Sequence, residues 1–380
     1  MMTGESELNW EPIEKTLTLT QERGCQLTFR VYLEYPGKPI AATQFLIDGG
    51  LKITKWRSDD GQNHTPNYED PQLRAALKSF IAAFGEKYDG DPRIACLTAG
   101  LLGSWGEWHT YPKEELWASF EVQEEILTAY ENAFQNTPIL LRYPAKDGHY
   151  GQAANHKRPF GYHDDSFGWA TLDTGKKKDD WYFIPLLKDA NALEKWKTQP
   201  IGGELRPELW KTSFTGKPHR KAQDFRQCVE ETHATWLMDS GLFEKRFPLP
   251  PERRRRALKE VGRMGYEFHI SKADLKPDGD QQLLTLTVEN RGVAPFYVDW
   301  PVELAAFRDG AEIWKETQET WKLTGILPGD SVIWTARLDP EKTNSAQIRI
   351  RVPNPMIGGK PLRFANREQG KEWLSLPISD

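Results

Sequence analysis

Two glutamates stand where a carboxylate could do chemistry. Glu107 closes the apolar stretch 94–112, IACLTAGLLGSWGEWHTYP, and Glu204 ends the run Gly202-Gly203-Glu204. Each follows a run of strand type, and a carboxylate at the end of a buried strand must be desolvated unless that end opens as a pocket. Two such carboxyls suit glycosidic hydrolysis, in which one, protonated, serves the leaving oxygen while the other, ionised, acts on the opposite side of the anomeric carbon. A spacing of about 5 Å gives retention, and ~6.5–9.5 Å leaves room for a water and gives inversion. Trp105 and Trp108 beside Glu107 are expected to desolvate it and raise its pKa, making it the acid. Glu204, beside Arg206, is expected to stay ionised as nucleophile or base. The competing reading makes both glutamates buried ion-pair partners.

Further polar residues fall at predicted strand ends. Arg30 and Glu34 lie on the polar face of an alternating segment, 26–35, whose other face carries Leu27, Phe29, Val31 and Leu33. His109, Arg142, Tyr143, His163, Asp164, Asp165 and His233 complete the set, for hydroxyl recognition and for tuning the glutamate pair. His163-Asp164-Asp165 has the residue types of a metal site, but adjacent side chains on a strand diverge, so no metal is expected. No cofactor is expected either, because Gly100, Gly103 and Gly106 lack the dinucleotide spacing and lead into aromatic residues. Trp56, Trp105, Trp108 and Trp181 are candidates for stacking on sugar rings, with core packing as the alternative.

These residues need elements to carry them. Helical spacing predicts helices over 10–23, 70–88, 116–134, 190–196, 222–231 and 251–265, with Asp70-Pro71 as a cap. Strands are predicted over 26–35, 94–103, 138–143, 160–165, 200–205 and 232–238, and 38–69 reads as an enlarged loop. Alternating strands and helices indicate a parallel sheet that can close into a barrel. Six strands are two short of a (β/α)8 barrel, so either the fold is not a full barrel or the chain starts after the first two strands, which would leave strands 26–35 and 232–238 as open edges prone to aggregation. From 266 onward short strands alternate with turns such as Asp309-Gly310 and Pro328-Gly329, which indicates a β-sandwich. The expected division is therefore 1–265 for the barrel and 266–380 for the sandwich.

Composition narrows the function classes. A net charge of −5 over 380 residues argues against nucleic acid or an anionic membrane as partner. No stretch reaches the ~18 apolar residues of a membrane span. The start, MMTGESELNW, has no basic n-region or apolar h-region, so no signal peptide is read there. Three cysteines, Cys25, Cys96 and Cys228, lack metal spacing, and the first two fall in strand-like runs that predict buried thiols. Asn63-His64-Thr65 is a formal glycosylation sequon.

Glutamates after the fourth and seventh strands resemble the acid/base and nucleophile of the large clan of retaining glycoside hydrolases with TIM barrels. More closely, the order WEPIEKTL, FRVYLEYPG, GLLGSWGEWHTYP, GYHDDSF, GGELRP, HATWL, ENRGVAPFY, PLRFAN is similar to bacterial proteins carrying the domain of unknown function 4832. That resemblance spans nearly the whole chain and implies a glycosidase-like barrel followed by a sandwich, with a carbohydrate as substrate or ligand. Members usually begin with a further segment holding two barrel strands and are often exported. Where the retaining clan commonly has Asn before its acid/base, this chain has Gly106. A Gly-Glu after strand four also occurs in β-amylase, an inverting barrel enzyme. Retention is favoured over inversion, and the alternative to catalysis is a carbohydrate-binding or scaffold protein using the same groove.

Overall fold

The computed structural model describes residues 2, 4, 7–146 and 148–378. Six strands form one parallel sheet: β1 (Leu27–Phe29), β4 (Ile94–Thr98), β5 (Ile139–Leu141), β6 (Phe160–Phe167), β7 (Ile201–Leu205) and β8 (Trp236–Met238), in the order β1-β4-β5-β6-β7-β8. Between β1 and β4 lies an antiparallel hairpin, β2 (Ile53–Ser58) with β3 (Gly61–Pro66). The sheet is strongly curled. Arg30, just past β1, touches Glu204 on β7 at 2.9 Å, although four strand spacings separate β1 from β7, roughly 19 Å in a flat sheet. The result is an open half-barrel. Its inner strands are buried, with every residue of β5 covered, whereas β1 and β8 are half-exposed along their free edges.

Helices cover the outer face where apolar spacing placed them. Pro71–Tyr88 buries Leu73, Leu77, Phe80, Ile81, Phe84 and Tyr88 on one side, each worth about 1.5–3 kcal/mol when fully withdrawn from water. The Asp70 carboxylate caps it, accepting from the amides of Gln72 and Leu73. Phe120–Ala133 packs alongside, closely enough that Gly85 meets the Ala133 carbonyl and has no room for a Cβ. Among the described residues no helix is long and apolar enough to cross a membrane.

Several boundaries differ from expectation, each for a local reason. The strand expected over 26–35 pairs regularly only at Leu27–Phe29. Beyond it, the Val31 carbonyl accepts from Leu101 N and Glu34 forms a single bridge with Ser104, so the chain follows a loop instead of a strand. The segment 38–69 is not an open loop, because Asp60-Gly61 turns it into the hairpin. The helix expected over 190–196 lies earlier, at Phe183–Asp189. Cys25 is exposed, while Cys96 and Cys228 are buried. Asn63 is 1% exposed and donates to Ser58 Oγ and the Gly61 carbonyl, so the sequon is closed to a glycan.

Past residue 265 the structure is antiparallel. One sheet has the order β13-β10-β9, from β9 (Phe268–Asp278), β10 (Gln281–Asn290) and β13 (Ser331–Leu338). The other has the order β12-β11-β14-β15, from β11 (Glu303–Arg308), β12 (Ala311–Thr317), β14 (Gln347–Arg351) and β15 (Leu374–Ser375). Phe268, Ile270, Leu286 and Val288 from the first sheet share one core with Leu304, Ile348 and Ile350 from the second. The long β9 was not expected among the short strands, and β11 starts only at Glu303, after Pro301. Proline has no amide to give a ladder.

Candidate functional site

The loop after β4 carries Glu107 in an unusual backbone. Residues 101, 103, 105, 106 and 108 all have positive φ, including the non-glycines Leu101 (72°), Trp105 (56°) and Trp108 (59°). Each non-glycine in that region costs of order 1–3 kcal/mol and persists only where surroundings enforce it. Here the enforcement is visible. Trp108 Nε1 donates to the Ala99 carbonyl, Gln152 Nε2 donates to the Trp108 carbonyl, and Ser104 N donates to the His109 carbonyl. Gly103 (φ 80°) sits so close to the His109 backbone that a Cβ would strike it. The loop is thus folded tightly on itself, with the Glu107 side chain 12% exposed at the mouth of the half-barrel.

Glu204 arrives by a plainer route. It is on β7, paired with β6 on one side and with Met238 of β8 on the other. Gly202 leaves space for the Trp236 indole and Gly203 for the Asp164 carbonyl, which accounts for the two glycines before it.

Arg30 joins the two glutamates. Its Nη2 lies 2.7 Å from Glu107 Oε1 and 2.9 Å from Glu204 Oε1, and its Nη1 is 3.2 Å from His163 Nε2. The two carboxylate oxygens are therefore no further apart than the sum of the first two distances. Burial, reinforced by the charges of Glu107 and Asp165 against that of Arg30, pushes Glu204 up to about 7. Glu204 thus keeps its proton to higher pH than an ordinary carboxyl. Burial and the Arg30 charge together push His163 well down, so its ring is neutral.

A second ion pair adjoins the first. Arg142, 2% exposed, places Nε 2.6 Å from Asp165 Oδ2. Burial opposes ionisation of Asp165, but the Arg142 charge and hydrogen bond outweigh it and hold the carboxyl well below the usual range. The Arg142 guanidinium stacks over Tyr143 at 4.2 Å, and Tyr143 meets His109 edge-on. His109 Nε2 is 3.8 Å from Glu107 Oε2. Asp165 Oδ1, His163 Nδ1 and Arg142 Nη1 are buried without a hydrogen-bond partner.

The structure therefore gathers Arg30, Glu107, His109, Arg142, Tyr143, His163, Asp165 and Glu204, sets Trp105 beside His109 with ring centres 6.1 Å apart, and places the remaining candidates elsewhere. Asp164 points to the opposite face of β6, as strand alternation requires, where it accepts from Thr171 Oγ1 and Ser166 N. Burial pushes it up to about 7. His233 caps a helix at the far end of β8, stacked 3.5 Å from Trp196 with Nδ1 against the Val293 carbonyl. Arg206 turns to Glu208 and Ser166 rather than to Glu204, because β7 ends at Leu205. Glu34 is 1% exposed and bonded inward to Thr65 and Tyr68. Trp108 is core at 3% exposure, Trp56 is buried in the hairpin, and Trp105 packs edge-on against Tyr35. Tyr68 and Thr65 went unnoticed in the sequence because they lie in the segment read as a loop.

One set of atoms could hold a cation. Single ligand atoms of Glu107, His109 and Asp165 lie within 4.8 Å of one another. Arg30 and Arg142 already neutralise both carboxylates, so a metal would have to compete with two guanidiniums.

No family model and no curated protein matches the chain. Among solved structures, the lactosyl-enzyme intermediate of endo-glycoceramidase II from Rhodococcus sp. is similar at TM-score 0.38 and 11% identity, over 86% of this chain and 83% of that one. The ganglioside GM3 complex of the same enzyme gives TM-score 0.38 and 11% identity over 86% and 84%. OgpA from Akkermansia muciniphila follows at TM-score 0.18 and 11% identity, over 88% and 89%. Likeness at this level carries no argument about this chain's chemistry, which rests on its own residues: a half-barrel mouth where one arginine holds two glutamates.

Proposed function

We propose that the protein is a glycoside hydrolase acting on an oligosaccharide or polysaccharide through Glu107 and Glu204. The observation that carries the reading is the shared guanidinium: two carboxyls from separate segments of the chain, held close on Arg30, with burial pushing that of Glu204 up. At neutral pH that supplies one acid and one carboxylate, the combination hydrolysis needs. Glu204 gives its proton to the glycosidic oxygen as the bond to the anomeric carbon breaks. Glu107 attacks that carbon and forms a glycosyl ester. Water, deprotonated by Glu204, then releases the sugar and restores both groups. The short spacing favours retention over inversion.

The six parallel strands correspond to the third to eighth of a (β/α)8 barrel, residues 1–265 form that unit, and 266–380 form the sandwich. The family with the domain of unknown function 4832 is the one whose sequence order supports this.

One observation favours a second reading. Arg30 Nη2 occupies the space between the carboxylates, so a sugar ring enters only if the guanidinium gives up one contact. A groove that keeps this bridge would bind glycans without turnover. Glycan-array binding with analysis of released sugars separates the two. Release by the wild type, lost in Glu107→Gln and Glu204→Gln, supports hydrolysis. Binding with no released sugar, or unchanged release in both variants, overturns it.

A further inference from the structure

We infer that Glu34 and Tyr68 are positioning residues for Glu107, acting through the backbone of the strained loop that carries it. The inference rests on the reading of Glu107 as a functional carboxylate and adds how that carboxylate is held.

The connection is continuous. Trp56 Nε1 donates to Thr65 Oγ1 at 2.9 Å, and Thr65 Oγ1 donates to Glu34 Oε2 at 2.7 Å. Tyr68 Oη donates to the other Glu34 oxygen at 2.6 Å and accepts from Gly103 N at 2.7 Å. Glu34 is also bridged through its backbone to Ser104. Every member is buried, and Thr65, Glu34 and Tyr68 are 1%, 1% and 2% exposed. The hairpin is thus tied, through one carboxylate, to the middle of the loop whose far end bears Glu107.

A buried carboxyl is costly, and this one has no arginine or lysine within ion-pair distance among the described residues. Its two hydrogen bonds are what make it tolerable. In return the carboxylate fixes the Tyr68 hydroxyl as an acceptor for the Gly103 amide, at a residue whose φ is 80° and around which the loop reverses. Without that acceptor the amide is left buried and unpaired next to three non-glycine residues at positive φ. The loop then relaxes toward commoner backbone angles, and Glu107 moves away from Arg30 and Glu204. A hydrogen bond to an ionised or strongly polar partner is well suited to this task, since it is shorter and stronger than a neutral one.

Hydrogen exchange of the intact chain, followed by mass spectrometry on peptides spanning 99–110, reads the loop directly. Tyr68→Phe keeps the ring and removes the acceptor, and Glu34→Gln keeps the shape and removes the charge. Tyr88→Phe is the control, because Tyr88 is also a buried tyrosine bonded to a glutamate, Glu14, but far from the loop. Tyr68→Phe is expected to speed exchange in 99–110 by about tenfold, the equivalent of ~1.4 kcal/mol of local opening, and Glu34→Gln by a smaller factor. The titration midpoint of Glu204, read by carbon NMR on labelled glutamate, is expected to fall by about one pH unit in Tyr68→Phe as the Glu107 charge recedes. Wild-type exchange and midpoint in Tyr68→Phe, or equal changes in Tyr88→Phe, would overturn the inference. Neither measurement needs turnover, so a failure of the hydrolase reading is separately visible in the sugar-release assay.

Discussion

The mouth holds two arginine–carboxylate groups that differ in count. Arg142 meets one carboxylate, Asp165, whereas Arg30 meets two, Glu107 and Glu204. The one-to-one pair keeps its acid ionised to unusually low pH. The one-to-two group cannot compensate both charges, and Glu204 retains a proton up to about 7. Burial raises both acids; at Asp165 the charge and hydrogen bond of Arg142 outweigh it, whereas at Glu204 the charge of Arg30, shared with Glu107, does not. A structural ion pair and a proton-holding site are made from the same residue types by adding one glutamate.

The largest expected effect breaks the first group. Asp165→Asn leaves Arg142 buried and uncompensated and should cost about 3–5 kcal/mol at pH 7, measured by urea unfolding. Because the Asp165 pKa is depressed, its contribution is present above the usual carboxylate range and is lost as pH falls through the depressed value. The gap between wild type and variant should therefore narrow in acid.

Converting the second group to one-to-one should act with opposite sign. Glu204 holds its proton more tightly folded than unfolded, so its contribution is complete below about pH 4.5 and is lost as pH rises through about 7. Glu204→Gln removes that loss. At pH 8 the variant should be more stable than wild type by up to about 3 kcal/mol, with no difference near pH 4. A flat difference across pH 4–8 would refute the stoichiometric account.

Arg30→Ala sharpens the same contrast. Two facing carboxylates without a cation should cost about 2 kcal/mol at pH 8 and less at pH 5, where Glu204 is protonated, as read from unfolding curves at the two values. The smallest effect sets the scale away from both groups. Asp70→Ala removes the helix cap that accepts from Gln72 N and Leu73 N and should cost about 1 kcal/mol at either pH, seen as a pH-independent fall in melting temperature.

Much of the fold was legible in the residues. The strand-and-helix alternation around 71–88, 94–98, 120–133 and 201–205 follows from apolar spacing and caps, which act locally. The hairpin at 53–66 was missed although Asp60-Gly61 was available, because its strands carry few apolar residues. In the site, alternation along 163–165 rightly separates Asp164 from Asp165. The apolar and basic neighbours of Glu107 and Glu204 in the sequence, by contrast, do not all become their neighbours in space. Trp108 and Arg206 are adjacent in the chain, yet Trp108 packs into the core and Arg206 turns to Ser166.

The sequence by itself determined where the six strands of the parallel sheet lie, and that one glutamate follows the second of them and another closes the fifth. Periodicity and the turn residues suffice for that, since both are short-range. Only the tertiary structure decided that Arg30, just past the edge strand, reaches both glutamates, and that burial there raises the pKa of Glu204. It also decided that Glu34 serves the loop wall and not the mouth. Each depends on the curl of the sheet, which brings together charges 77 to 174 positions apart along the chain. Electrostatic energy follows distance in space and burial, and neither is written in the order of neighbouring residues.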